Sequence, residues 1–374
     1  MRSADGGTSG REPDRPTHGP TGSPLSRRSL LRASALFAVA GPLIAACTSQ
    51  PTPPPPDPLR QMLTSATRDA ATAKAAAAAF ADNGATLAVI ATVRQQQATA
   101  LRAEVNRAAG VVPGSPATTT SAPPTKTPKP ADESTVTSQL TKDLVTAQRQ
   151  AATLLPRLPR YRTGLVGSVA AGCASLAEAL DSAPITVTSP TSASPAQSGG
   201  SATLSGTTTT ATAPPTAVAS TAPSANNSPL ASDTATALQH ALSAENAALW
   251  LYGTASAFVD TSVETEFVAA MNAVQNLRDG TEQRLTSGEV APQPAQPAYL
   301  VPTPVTDQRS ALTAVAVAES DATVAWRSVL EHTDDRDLRS AALAALIDSA
   351  VRQTRWRRLS GQSPASVAMP GAAA

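Results

Sequence analysis

The chain has 374 residues, 33 of them proline, and only 3% are aromatic. That composition argues against a sheet-rich fold, which needs β-branched and aromatic side chains, and leaves a globular part well short of the full length. Formal net charge is +1. The first 46 residues hold six Arg against three acids, so the remainder carries −2, without the basic excess of a nucleic-acid binder.

Near the N-terminus, Ser26-Arg27-Arg28-Ser29-Leu30-Leu31-Arg32 fills a twin-arginine export pattern, with the arginine pair at Arg27 and Arg28. The apolar stretch from Ala33 to Ala46 is interrupted by Gly41-Pro42. It is shorter than the ~20 residues a membrane span needs, so residues 1–46 are expected to be a cleaved signal peptide. Ile44-Ala45-Ala46-Cys47 matches a lipobox, whose small residues fit the lipoprotein signal peptidase and whose thiol accepts diacylglycerol. Cys47 is therefore the expected attachment point for lipid (palmitate among its acyl chains), and the cell membrane, on its extracytoplasmic face, is the expected location. Two or more acyl chains make such attachment effectively permanent. Residues 47–57 read as a stiff Pro-rich tether.

Helical periodicity covers two segments, 58–183 and 232–361, separated by a Ser/Thr/Ala/Pro-rich linker at 184–231; a similar insert lies at 111–132. Neither tract holds enough apolar surface to order itself, and residues 362–374 read as a disordered tail on the same ground. In the first segment, helices are expected near 58–82, 85–109, 133–157 and 161–182, broken by Asn83-Gly84, Gly110 and the Pro156/Pro159 pair. In the second they are expected near 233–259, 262–286, 307–332 and 335–360, with Asp233, Thr261, Asp307 and Asp334 as caps. Four long helices per segment, with the longest connection in the middle, predict two ferritin-like four-helix bundles. Cys173 has no partner once Cys47 is acylated. It lies in an apolar run, no neighbouring cation or His is expected to activate it, and it reads as a small core residue.

The runs Leu238 to Gly253, Pro297 to Asp307, Ala318-Glu319 and Ala350 to Trp356 resemble the ferritin-like domain of unknown function of actinobacterial twin-arginine-exported lipoproteins. Through Arg102 to Gly110 and Leu154 to Ser168, the first segment is similar to that domain's N-terminal helical companion. The resemblance implies the fold and an envelope location, and brings no assigned activity. The Thr/Pro-rich tracts themselves resemble sites of O-glycosylation on actinobacterial surface lipoproteins.

Glu245 falls in the apolar stripe of Leu238, Leu242, Leu249 and Tyr252, and Glu319 in that of Leu312, Val315, Ala322 and Trp326, so both carboxylates are expected to face the core. Asp348, four residues before Arg352, can join them. Inward carboxylates on different helices are how a di-metal site begins, which makes Glu245, Glu319 and Asp348 candidate ligands for iron or manganese. The Glu-x-x-His pattern is missing, however. The expectation is that the two glutamates pair with Arg278, Arg352 or Arg355 and that no cofactor is bound. No phosphate loop, nucleophile–His pair, zinc spacing or haem-attachment pair is present, so no catalytic residue is expected. The leading functional expectation is a non-catalytic, membrane-anchored binding or scaffolding module, held by its lipid and meeting an envelope protein or polymer. Its rivals are a ferritin-like di-metal oxidoreductase or metal-handling protein, and a carrier of an apolar ligand.

Overall fold

The computed structural model describes residues 56–81, 83–110, 132–180, 229–301, 303–363 and 366–372. The expected signal peptide with Arg27 and Arg28, the anchor Cys47, the tether up to residue 55, the insert at 111–131 and the linker up to residue 228 lie outside them. Among the described residues all regular structure is helical: α1 (Arg60–Ala79), α2 (Gly84–Ala108), α3 (Glu133–Leu154), α4 (Arg160–Leu180), α5 (Ser232–Ala255), α6 (Thr261–Ser287), α7 (Gln308–His332) and α8 (Arg336–Leu359). Short 3-10 turns follow α3 and α5, at Leu155–Arg157 and Ser256–Phe258.

Caps and breakers set the ends. Asp132 accepts from the Thr135 amide, and Asp307 closes a capping box with Ser310. At α8 the cap is Asp335, accepting from the Leu338 amide, rather than the expected Asp334. The reason is that Asp334 is engaged by Arg160 and Arg339. Helix α5 begins after Ala231, which leaves Asp233 in its first turn, where its charge favours the helix dipole.

Each set of four helices has the expected long middle connection. In the second set the backbone of Leu230, just before α5, bonds Gly288, just after α6, so these two helices run antiparallel. Gln308 at the start of α7 accepts from the Asp260 amide at the α5–α6 turn. Residues 288–307 therefore travel the length of the bundle, alongside α5, where Gln239 bonds Ala291 and Gln293, and Trp250 stacks against Tyr299 at 6.0 Å. In the first set Asn83 at the α1–α2 turn donates to Glu133, which places the start of α3 beside that turn.

The sequence separates the two bundles by a long linker, yet the described helices α1–α8 belong to one compact unit. Helix α4 is the reason. It is apolar on nearly every face, long and apolar enough by composition to cross a membrane, but 83% of its apolar window is buried among the other helices. It lies between α3 of its own bundle and α7–α8 of the other. Gly167 lets it approach closely: a Cβ there would sit 2.5 Å from Leu330 and 3.2 Å from Leu346. Thr163 donates to the Leu330 carbonyl (2.6 Å) and Ser175 to that of Ala350 (3.1 Å), and Glu178 receives Arg355. Residues from both segments join one continuous core.

The C-terminal stretch departs from expectation. Instead of a disordered tail, residues 366–372 form a strap across α2, α4 and α7, with Ser366 and Pro370 buried. Gln97 donates to the Ala368 carbonyl (2.9 Å) and Ser168 to that of Pro370 (2.7 Å), while the absent side chain of Gly172 leaves room for the Ala368 carbonyl. Side chains of the body thus hold backbone groups of the strap, which explains why its own composition carries no signal. Truncation after Gly361 is expected to lower stability by about 2–3 kcal/mol, from two lost hydrogen bonds and lost burial. Urea unfolding of the truncated and full chains checks this; equal midpoints would show that the strap contributes nothing.

Candidate functional site

The polar centre of the second bundle is Arg352, carried by α8 and buried. It meets Glu319 of α7 in a two-pronged pair, Nε to Oε1 at 2.7 Å and Nη2 to Oε2 at 3.0 Å, and Nη2 also donates to Ser349 at 3.1 Å. From α5, the Tyr252 hydroxyl donates to Glu319 Oε1 at 2.7 Å, and the Trp356 indole N–H donates to that hydroxyl at 2.7 Å. The result is a relay from Trp356 through Tyr252 to Glu319 and Arg352, packed against Phe267 of α6, whose ring lies 5.0 Å from that of Tyr252. Burial and the adjacent Glu319 charge both push the Tyr252 hydroxyl above its ordinary range, so it acts as a donor. Burial opposes the charge on Arg352, but Glu319 outweighs it and holds the guanidinium cationic.

Glu245, on α5, is also buried, but among the described residues no ion pair holds it. Its Oε1 accepts from Thr281 of α6 at 3.1 Å, and its Oε2 has no hydrogen-bond partner among them. The Trp326 indole N–H is near enough to favour the anion slightly, yet it too completes no hydrogen bond. Desolvation dominates and raises the carboxyl to about 8, so Glu245 is a neutral acid at pH 7. Asp348, half-buried on α8, is raised to about 6, mainly by burial, with Arg352 pulling it down. Arg352 is therefore the cation to which Glu319, Glu245 and Asp348 all couple.

Among the three expected partners, Arg352 takes Glu319, whereas Arg278 bonds Asp279 on the surface and Arg355 joins Glu178 and Glu266. Both glutamates face the core, as their stripes imply. The donor set does not fit a di-metal centre. Both oxygens of Glu319 are occupied by Arg352 and Tyr252, and among the described residues no three His, Cys, Asp or Glu converge on one point. His240 and His332 are exposed; the His332 ring bonds the Ser328 carbonyl at 2.7 Å at the end of α7.

The first bundle has its own buried pairs. Arg94 of α2 bonds Asp69 of α1 at 2.7 Å, Gln97 at 2.6 Å and the Cys173 sulfur at 3.0 Å. The expectation that no cation neighbours Cys173 is thus corrected, since Arg94 reaches it from 79 positions away. Burial still prevails and pushes the thiol up, which keeps it unreactive. At the opposite end of α4, Arg162 joins Glu104 at 2.7 Å and Asp57 at 2.8 Å. An apolar cleft of about 530 Å³ lies between α2 and the strap, lined in part by Val89, Val93, Val367 and Ala368. Another, of about 300 Å³, is bounded by Leu251, Val301, Ala314 and Val317.

Residues 237–374 match the profile of a family described as a domain of unknown function (DUF4439). No curated protein is similar to the chain. Among solved structures, that of a conserved hypothetical protein, rv2844, from Mycobacterium tuberculosis is 32% identical, covering 35% of this chain and 98% of its own, with a TM-score of 0.34.

Proposed function

We propose that this chain, whose C-terminal region carries a DUF4439 domain, is a non-catalytic binding or scaffolding module anchored through lipid on Cys47 to the extracytoplasmic face of the cell membrane. The observation that carries the non-catalytic part is the closure of the buried charges on one another. Glu319 is held on both oxygens, and Arg94, Arg162 and Arg355 each meet a buried carboxylate. Such pairs set the register of helices and, among the described residues, commit these charged side chains to one another rather than to an open cleft. The anchored part rests on the twin-arginine pattern and the lipobox. An envelope protein or polymer is the proposed partner.

Two experiments test this. Mass spectrometry of the membrane fraction should find an N-terminal peptide beginning at Cys47 with acyl chains attached, and Cys47→Ala should abolish that modification. An unmodified, uncleaved N-terminus would sink the anchored reading. For the alternative, a di-metal oxidoreductase or metal-handling protein, the supporting observation is that burial raises Glu245 and Asp348, a strain that a bound iron or manganese ion would relieve. Protein folded with iron, manganese and zinc supplied is expected to contain far less than one metal per chain. Near-stoichiometric metal that disappears in Glu245→Ala/Glu319→Ala would reverse the preference.

A further inference from the structure

Two arginine-bearing runs distant in sequence, Arg102 to Gly110 and Leu154 to Arg162, meet at one end of the first bundle. There α1 begins, α2 ends, and the 3-10 turn leads into α4. Residues 56–60, 101–110 and 155–162 together contain six arginines against two acids, Asp57 and Glu104. Both acids are already neutralised by Arg162, and Arg107 adds a second pair to Glu104. The neighbouring α7–α8 turn and first turn of α8 contribute Asp334, which is held by Arg160 and Arg339, Asp335, which caps α8, and Asp337, beside Arg336. Arg60, Arg102 and Arg157 are exposed, and among the described residues none of them is paired with a carboxylate. Beside them Tyr161 is 59% exposed, with the Arg107 and Arg162 guanidinium groups 5.2 and 5.8 Å from its ring centre.

From this arrangement we infer that the end of the bundle carrying Arg60, Arg102, Arg157 and Tyr161 is a docking surface for anionic phospholipid headgroups. Exposed arginines attract a negative bilayer surface, and an aromatic ring with a polar tip suits the headgroup layer. The place of the patch favours lipid over any other polyanion. Asp57, clamped by Arg162 within this same end, is ten residues from Cys47, and an extended chain of that length spans at most about 35 Å. An anchored molecule therefore presents this end to its own membrane, while the buried Asp57–Arg162–Glu104 bridge stops the tether from swivelling there. The inference rests on the anchored reading for its cellular meaning, but the surface itself needs no acyl chain.

The test uses the mature chain from residue 47 carrying Cys47→Ser, sedimented with vesicles of phosphatidylcholine alone or with about a third phosphatidylglycerol. Binding is expected on the anionic vesicles, at least about tenfold tighter than on the neutral ones, and weakening as salt rises. Arg60→Glu/Arg102→Glu/Arg157→Glu should lower that affinity about a hundredfold or more with an unchanged circular dichroism spectrum, at roughly 1 kcal/mol per charge lost. Tyr161→Ser should lower it several-fold. The matched reversal Lys74→Glu/Lys142→Glu/Arg309→Glu, with the same change in net charge, should bind like the parent. Equal binding to both vesicles, no binding, or equal loss in the matched reversal would overturn the inference. So would soluble polyphosphate bound as tightly as the anionic vesicles, which would assign the patch to a wall polymer. Because the assay contains no acyl chain, its failure leaves the Cys47 anchor standing, and an unmodified Cys47 leaves the vesicle result standing.

Discussion

Glu245→Gln is expected to stabilise the protein, by an amount that grows with pH. In the folded chain the Glu245 carboxyl is raised to about 8, against 4.5 for a fully hydrated glutamate, the value that applies to the unfolded chain. Below pH 4.5 both states hold the proton, and the group has no differential effect. Between pH 4.5 and 8 the unfolded chain releases its proton while the folded chain keeps it, so the parent loses about 1.4 kcal/mol per pH unit relative to the variant. Above pH 8 both are ionised and the deficit levels off, at about 5 kcal/mol. Chemical denaturation of both proteins at several pH values between 4 and 9 reads the difference directly. Parallel pH profiles would mean that Glu245 finds a counter-charge in solution, and the description of its surroundings would have to change.

Glu319 responds in the opposite way. Glu319→Gln removes the carboxylate that pairs with the buried Arg352, leaving only the half-buried Asp348 near it, and takes the charged acceptor from Tyr252, so a loss of about 3–5 kcal/mol is expected. Adding Arg352→Met to that variant removes the stranded charge and should restore most of the loss. The informative quantity is the difference between the loss in the double mutant and the sum of the losses in Glu319→Gln and Arg352→Met alone. If that difference is zero, Glu319 and Arg352 are not coupled and the buried pair contributes no interaction of its own. Both substitutions sit within one bundle, so thermal unfolding with a single transition would also report that the two bundles melt together through α4.

These two carboxylates divide what is legible in the sequence from what is not. Their inward direction follows from periodicity, because each lies in an apolar stripe, and Arg352 stands among the partners that the stripes suggest. Their fates cannot be told apart there, since the difference is one cation located on another helix. Tyr252 lies in an apolar stripe in the sequence, and only tertiary placement joins its hydroxyl and the Trp356 indole into a chain of donors. Helix limits are readable to within a few residues wherever Asn83-Gly84, the Pro156/Pro159 pair or Asp307 marks them. The strap at residues 366–372 is not, because a short run of mostly small residues with only Val367 and Met369 as larger apolar ones is equally that of a tail, and the groups that seat it are Gln97 and Ser168 far upstream. The joining of the bundles has one sequence signal, the all-round apolarity of α4 with its small residues, which is the mark of a helix enclosed on every side.

The lengthwise course of the α6–α7 connection gives the chain an unusual tolerance. A connection that already has to cover the length of a helix starts long, and the entropy of closing a loop rises only with the logarithm of its length, about 0.6 kcal/mol for each doubling. Extra residues placed there away from the contacts of Ala291, Gln293 and Tyr299 therefore change stability little, whereas the short α1–α2 and α7–α8 turns have no such slack. Among chains that share this architecture, length should vary more at that crossover than at those turns, so that size differences between relatives say little about differences in their cores.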